Sequence, residues 1–240
     1  DYIGDCARDL PIWKDCDQKL LAGNKKSLAA GFTFSKEFGD SHSLLRSIIK
    51  LMRPHQWLKN MLIFLPMLLA FKITDAELWT LGGLSFACFS LIASVVYIIN
   101  DSLDIENDRK HPKKKKRPIA ASKVSIPMAI VLATVLALVS LSASVFLTEN
   151  LKLLYVLLGY LAMTSLYTFY CKRVVILDVL FLAGLFTFRI IGGAVVLDIT
   201  LTPWLLAFSM FLFSSLAMVK RWIDLLHLEA SGQTESSGRG

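Results

Sequence analysis

LWTLGGLSFACFSLIASVVYII, residues 78–99, is a run of twenty-two residues without one Asp, Glu, Lys, Arg or His. At an α-helical rise of ~1.5 Å per residue such a run reaches about 33 Å, enough to cross a ~30 Å hydrocarbon core. A barrel strand would instead alternate apolar and polar residues over segments of about ten, and no such alternation is present. The run stops abruptly at Asn100-Asp101-Ser102-Leu103-Asp104-Ile105-Glu106-Asn107-Asp108, so an apolar span is followed at once by a crowd of acids. Working outward, comparable apolar runs occupy residues 57–71, 124–147, 153–170, 174–197 and 203–219, the first of them short and holding Pro66. The fold expected is an all-α, polytopic membrane helix bundle with six spans.

Composition agrees with that reading. The 240 residues are 55% hydrophobic with a mean hydropathy of +0.56, more apolar than a water-soluble domain of this size carries. Of 26 Lys/Arg and 19 Asp/Glu, ten and seven precede residue 61, and eight and four lie in 100–123, which leaves the apolar remainder almost free of charge. That segregation excludes a disordered chain, a rod and a disulfide-stapled secreted domain. Cys6, Cys16, Cys88 and Cys171 have no CxxC spacing, so neither a zinc site nor a disulfide framework is indicated. The net charge of +7 belongs to the ends of apolar spans, where it meets an anionic membrane face, and no nucleic-acid partner is expected.

Basic residues also set the orientation. Arg46, Lys50, Arg53 and Lys59 precede the first span, residues 109–117 and Lys123 lie between the second and third, Lys172 and Arg173 follow the fourth, and Lys220 and Arg221 follow the sixth. The alternate turns carry only Lys72 and Lys152. Positive charge accumulates on the cytoplasmic side, so the expected location is a multi-pass cell-membrane protein whose acidic loop faces the cytoplasm.

Asp101, Asp104 and Asp108 stand at i, i+3 and i+7, which places them on one face if the helix continues past residue 99. Acids at a helix C-terminus oppose the macrodipole, so a cluster there needs a reason. A divalent cation supplies one: Mg²⁺ takes one or two carboxylates plus waters and phosphate oxygens, and the ligand expected is a diphosphate. The bland alternative is a solvated helix end balanced by the neighbouring basic loop.

Asn100-Asp101-x-x-Asp104-x-x-x-Asp108, followed by His111-Pro112-x-Lys114-x-x-Arg117-Pro118-Ile119-Ala120, resembles the first aspartate-rich signature of the UbiA superfamily of intramembrane prenyltransferases. The resemblance covers about residues 45–240. It implies a bundle of about nine spans, of which six are present here, with Asp101, Asp104 and Asp108 as the Mg²⁺-binding and catalytic acids at a cytoplasmic mouth and an isoprenoid chain entering from lipid. Asn100 and Arg117 join the substrate-binding set as part of the same signature. Arg53-Pro54-His55-Gln56-Trp57-Leu58-Lys59-Asn60 is similar to the decaprenyl-phosphate phosphoribosyltransferase-like branch. That branch implies phosphoribosyl diphosphate as the diphosphate-containing donor and a polyprenyl phosphate in the bilayer as acceptor. Lys59 and Asn60, near the cytoplasmic start of span one, are placed to join the diphosphate site, and anchoring of the helix end by Trp57 and Lys59 is the bland alternative. The superfamily's second Asp-x-x-x-Asp signature is altered to Lys220-Arg221-Trp222-Ile223-Asp224. Lysine in the first position removes a metal ligand and adds a phosphate donor; Lys220 and Asp224 are both carried as substrate-binding candidates.

Span five holds Asp178 and Arg189, eleven residues or about three turns apart, and ionisable groups at that depth are read as functional by default. Arg189 is placed to reach a phosphate with its planar fork, Asp178 to orient a sugar hydroxyl or Lys172. The alternative is a structural ion pair with another span. Tyr160, Thr164 and Tyr167 form a polar stripe in span four, and Tyr167 with Lys172 resembles the superfamily's Tyr/Lys element. For Gly192-Gly193 close helix packing is the expected role.

Tyr2-Ile3-Gly4-Asp5-Cys6-Ala7-Arg8-Asp9-Leu10 resembles the last motif of haloacid-dehalogenase-like phosphatases. Residues 1–44 are therefore expected to be the end of such a soluble domain, without its nucleophile, joined by a linker at 23–43 to the transferase domain at 45–240. The activity expected is Mg²⁺-dependent transfer of a 5-phosphoribosyl group to a polyprenyl phosphate. The rivals are transfer of an isoprenoid from a prenyl diphosphate to a small acceptor, and a transporter or scaffold, for which an internal repeat would be needed.

Overall fold

The computed structural model describes residues 2–4, 10–16, 19–22, 36–38, 44–148, 150–171 and 174–231. Two compact units divide the chain, Asp1–Arg46 and Ser47–Gly240. In the first, β1 (Tyr2–Gly4), β2 (Lys19–Ala22) and β3 (Lys36–Phe38) form a parallel sheet in the order β1-β2-β3, with α1 (Leu10–Lys14) in the β1–β2 connection. The stretch expected as linker thus contains a strand: Leu20 pairs with Lys36 and Ala22 with Phe38. Asp5 and Asp9 of the Gly-Asp motif lie outside the described residues.

The second unit is helical. From α2 (Leu44–Met52) the chain passes into a 3-10 helix, Pro54–Phe64, then α3 (Leu65–Leu69), α4 (Ala76–Leu103), α5 (Ile105–Lys110) and a short 3-10 turn, Lys114–Lys116. Four long helices follow: α6 (Ile126–Phe146), α7 (Lys152–Phe169), α8 (Val175–Val196) and α9 (Pro203–Ser231). Among the described residues five helices, α4 and α6 to α9, are long and apolar enough to cross a membrane. Large apolar side chains such as Val131, Leu138 and Val139 of α6 and Trp204, Phe208 and Phe211 of α9 are exposed, an apolar surface for lipid or further helices to cover.

The first expected span takes another form. Pro66 has no N–H to close an α-helical bond onto Leu62, and the Leu65 N–H takes that carbonyl instead, an i to i−3 bond. The tighter winding is also longer per residue: at ~2.0 Å each, the 3-10 segment extends about 22 Å, and α3 adds about 7 Å. A segment too short to span as an α-helix therefore reaches nearly the ~30 Å of a hydrocarbon core.

Two of the buried clusters join the helices around the site. Ile63, Phe89, Ile92, Leu157 and Leu185 join the 3-10 helix, α4, α7 and α8; Leu51, Val95, Ile98, Ile119 and Ala129 join α2, α4, α6 and the loop before α6. Gly193 lets α8 touch the 3-10 backbone, because a Cβ there would lie 2.1 Å from the Ile63 carbonyl oxygen. The Gly192-Gly193 pair is a packing device, as its spacing suggested.

Candidate functional site at the end of α4

The helix does continue past residue 99, with a break at Asp104. Asp104 N–H bonds the Asn100 carbonyl at 3.0 Å and Asp108 N–H bonds the Asp104 carbonyl at 2.9 Å, so α5 resumes nearly on the α4 path. Asp101 and Asp108 consequently lie on one side, both buried, while Asp104 is half-buried. Arg117 Nη1 donates to Asp101 Oδ1 at 3.0 Å and to Asp108 Oδ2 at 2.6 Å. Arg53 Nη2 donates to both Asp101 oxygens, at 2.5 and 2.7 Å. The repulsion between the two acids is met here by two guanidiniums. Among the described residues no three His, Cys, Asp or Glu side chains gather into a metal-binding group.

Each arginine is delivered by local backbone structure. Arg53 occupies the left-handed region at φ 55°, ψ 59°, which turns the chain from α2 into the 3-10 helix and sends its side chain toward α4, over the ring of Tyr97. Arg117 sits on a loop whose apolar anchors, Ile119 and Val124, are buried. Within it His111 Nδ1 accepts from the N–H groups of Lys113 and Lys114, Arg117 N–H bonds the Lys114 carbonyl, and Arg109 Nε donates to the Ala120 carbonyl. Burial, and after it the charge of Lys114, holds His111 below the ordinary histidine pKa, which suits a ring nitrogen that accepts bonds.

Below this cluster the 3-10 helix and α4 share a polar seam. Trp57 Nε1 donates to Ser94 Oγ at 3.0 Å and Asn60 Nδ2 to Ser90 Oγ at 3.0 Å. Three residues of 3-10 helix and four of α-helix both climb about 6 Å, so residues 57 and 60 meet 94 and 90 in register. Asn60 Oδ1 in turn accepts from Arg189 Nε at 2.8 Å; Arg189 Nη2 donates to Tyr160 Oη at 2.7 Å and Nη1 to the Leu185 carbonyl at 2.6 Å. Lys59 reaches over the Phe186 ring, 5.7 Å from its centroid, within electrostatic range of Lys220, Arg189 and Arg53.

A third group lies among α7, α8 and α9. Tyr167 donates to Asp178 Oδ1 at 2.6 Å, and Arg221 Nη1 of α9 lies 3.7 Å from Asp178 Oδ2. Tyr160 and Tyr167, two turns apart on α7, thus each receive one of the ionisable residues of α8. Asp178 does form the structural ion pair named as its alternative.

The structure brings together Asp101, Asp108 and Arg117; Asn60 and Arg189; and Tyr167 and Asp178. Asn100 contributes its carbonyl to the α4–α5 junction, and Lys220 is an exposed residue of α9. Lys172 and the side chain of Asp224 lie outside the described residues. Arg53, Tyr160, Ser90 and Arg221 carry more than their sequence context assigned them. Arg53 was visible as the first residue of the motif at 53–60 and as a basic residue before the first span, but not as a partner of Asp101; that contact depends on a left-handed turn that no local pattern announces. For Tyr160 the signal was present, a tyrosine deep in a span whose hydroxyl needs a partner.

The UbiA prenyltransferase family model matches residues 61–227. The uncharacterized protein y4nM of Sinorhizobium fredii is 36% identical across all of this chain, which covers 47% of that protein. Decaprenyl-phosphate phosphoribosyltransferase of Mycolicibacterium smegmatis is 37% identical over 81% of this chain and 62% of its own length. The chain therefore spans about half to three-fifths of these relatives. A solved UbiA homolog from Archaeoglobus fulgidus, bound to GPP and Mg²⁺, superposes with a TM-score of 0.61 at 20% identity, over 78% of this chain and 66% of that one.

Proposed function

The chain belongs to the UbiA prenyltransferase family, and from that premise we propose that the protein transfers a 5-phosphoribosyl group from phosphoribosyl diphosphate to a polyprenyl phosphate in the membrane. One observation carries the reading: two buried carboxylates and two guanidiniums gather at the end of α4, with Arg117 bridging Asp101 and Asp108 and Arg53 also bonded to Asp101. Such a group is built for a polyanion, because arginines can pass from carboxylates to phosphate oxygens while the carboxylates take a cation. The relatives named as phosphoribosyltransferases support the choice of donor.

The donor set fits Mg²⁺. Asp101 and Asp108 already lie within reach of one shared guanidinium, and this ion uses one or two carboxylates together with phosphate oxygens and water. Asp101 and Asp108 would hold it, with Asp104 beside them. When bound, the ion neutralises the charge that builds on a departing diphosphate. Arg53 and Arg117 orient that diphosphate and share its charge, and the bundle keeps water from the anomeric carbon. A polyprenyl phosphate oxygen, already anionic, displaces diphosphate there without a strong general base.

The test is an assay of the full-length protein in membranes with labelled phosphoribosyl diphosphate or a labelled prenyl diphosphate, with and without a chelator, beside Asp101→Asn. Lipid-linked phosphoribose is the expected product. It requires Mg²⁺ and falls at least about a hundredfold in Asp101→Asn. Product from the prenyl donor alone would transfer the site to the second reading, isoprenoid transfer, and equal turnover in Asp101→Asn would remove the catalytic assignment.

A further inference from the structure

Arg189 is 5% exposed, yet among the described residues every group it touches is neutral: Asn60 Oδ1, the Leu185 carbonyl and Tyr160 Oη by hydrogen bonds, the Tyr160 and Phe186 rings by cation–π contact. Phe186 carries a second cation, because Lys59 Nζ stands 5.7 Å from the same ring that Arg189 Cζ approaches at 5.5 Å. Among the described residues neither cation is in an ion pair. The acids of the neighbouring groups, among the described residues, are committed elsewhere, Asp101 to Arg53 and Arg117, Asp178 to Tyr167 and Arg221. A buried and a half-buried positive charge at one ring, with no counter-ion of their own among the described residues, are costly to hold there unless an anion joins them.

We propose that Arg189 and Lys59 form a second anion subsite, separate from the carboxylate and arginine cluster of α4, that takes a phosphate monoester. Three of Arg189's five N–H groups are spent on fixing its plane, which leaves donors in a set orientation; among the described residues Lys59 makes no hydrogen bond and keeps all three of its own. A phosphate monoester carries about −1.5 to −2 charge at neutral pH, which matches two cations. A carboxylate would balance only one. The proposal deepens the transfer reading and rests on it for the choice of candidate ligands. In that reaction two groups have this chemistry, the acceptor's lipid phosphate and the 5-phosphate of the donor.

Binding to the full-length protein in detergent distinguishes them. The probes are a short-chain isoprenyl monophosphate, the matching isoprenol, phosphoribosyl diphosphate, and ribosyl diphosphate lacking the 5-phosphate. The variants are Lys59→Gln, Arg189→Gln and Arg189→Lys. Lys59→Gln breaks no hydrogen bond of the bundle, so it is expected to fold normally and to weaken one monoester about tenfold, the loss of one charge-assisted contact. Weaker isoprenyl monophosphate binding with unchanged isoprenol assigns the subsite to the acceptor. Weaker phosphoribosyl diphosphate binding with an unchanged 5-dephospho analogue assigns it to the donor. Arg189→Lys, which keeps the charge, should recover part of what Arg189→Gln loses. Unchanged affinity of Lys59→Gln for all four probes overturns the proposal. Failure of the transfer reading looks different: the wild type would give no phosphoribosyl product while its monophosphate binding still depended on Lys59.

Discussion

Arg53 places one terminal nitrogen against both oxygens of Asp101 while its guanidinium lies over the Tyr97 ring, 5.0 Å from the centroid, and an ammonium on a flexible stem can supply the charge but not both contacts at once. Arg53→Lys keeps the charge, so protein abundance should hold while turnover drops by about ten- to a hundredfold, measured as product per mole of purified protein. At the opposite end of the bundle, exposed Asp198 accepts from Lys152 at 2.9 Å. That hydrogen bond, and after it the Lys152 charge, holds its carboxyl below the ordinary aspartate pKa. A lowered folded pKa means that the pair contributes above the ordinary value and that the contribution disappears as pH falls through the lowered one. Asp198 sits at φ 55°, which asparagine tolerates, so Asp198→Asn is a clean probe. Its unfolding temperature should be slightly below wild type at pH 7, equal to it in strong acid, and equal to it in high salt, since an exposed pair is screened.

At the scale of elements, the contact between α8 and the 3-10 helix is the joint on which the inner site depends. Asn60 comes from one side of it and Arg189 from the other. A Cβ on Gly193 would meet the Ile63 carbonyl at 2.1 Å and has no flexible neighbour to displace. Gly193→Ala should cost about 3 kcal/mol of stability and uncouple Arg189 from Asn60, seen as a fall in unfolding temperature together with lost activity. Gly83 of α4 has open space around its Cβ position, so Gly83→Ala should instead be neutral or stabilising by up to ~1 kcal/mol. Equal effects from both substitutions would mean that helix propensity, rather than backbone approach, governs these glycines.

At the scale of the whole molecule, the loop at 111–125 and the Lys152–Asp198 pair mark opposite ends of the helices they flank. We expect the basic end to face the cytoplasm. In a cysteine-free background, an impermeant maleimide should label Asp198→Cys in intact cells and Lys115→Cys only after permeabilisation. The reverse pattern would invert the orientation and move the diphosphate site to the other side. Both test positions are exposed, so accessibility alone decides the outcome.

The helical membrane fold was legible because hydrophobicity over about twenty residues is a local property, fixed by the backbone's need to satisfy its own hydrogen bonds in lipid. The pairing of Asp101 with Asp108 was legible for a similar reason, since i to i+7 spacing follows from helix geometry once the helix continues. Tertiary structure alone decided which cations meet those acids, because Arg53 arrives through a left-handed turn and Arg117 through a folded loop. It also decided that residues 54–64 wind as a 3-10 helix, so that Asn60 comes level with Ser90 and Arg189. Only that close packing, made possible at Gly193, turns a scatter of polar residues on separate spans into one connected interior.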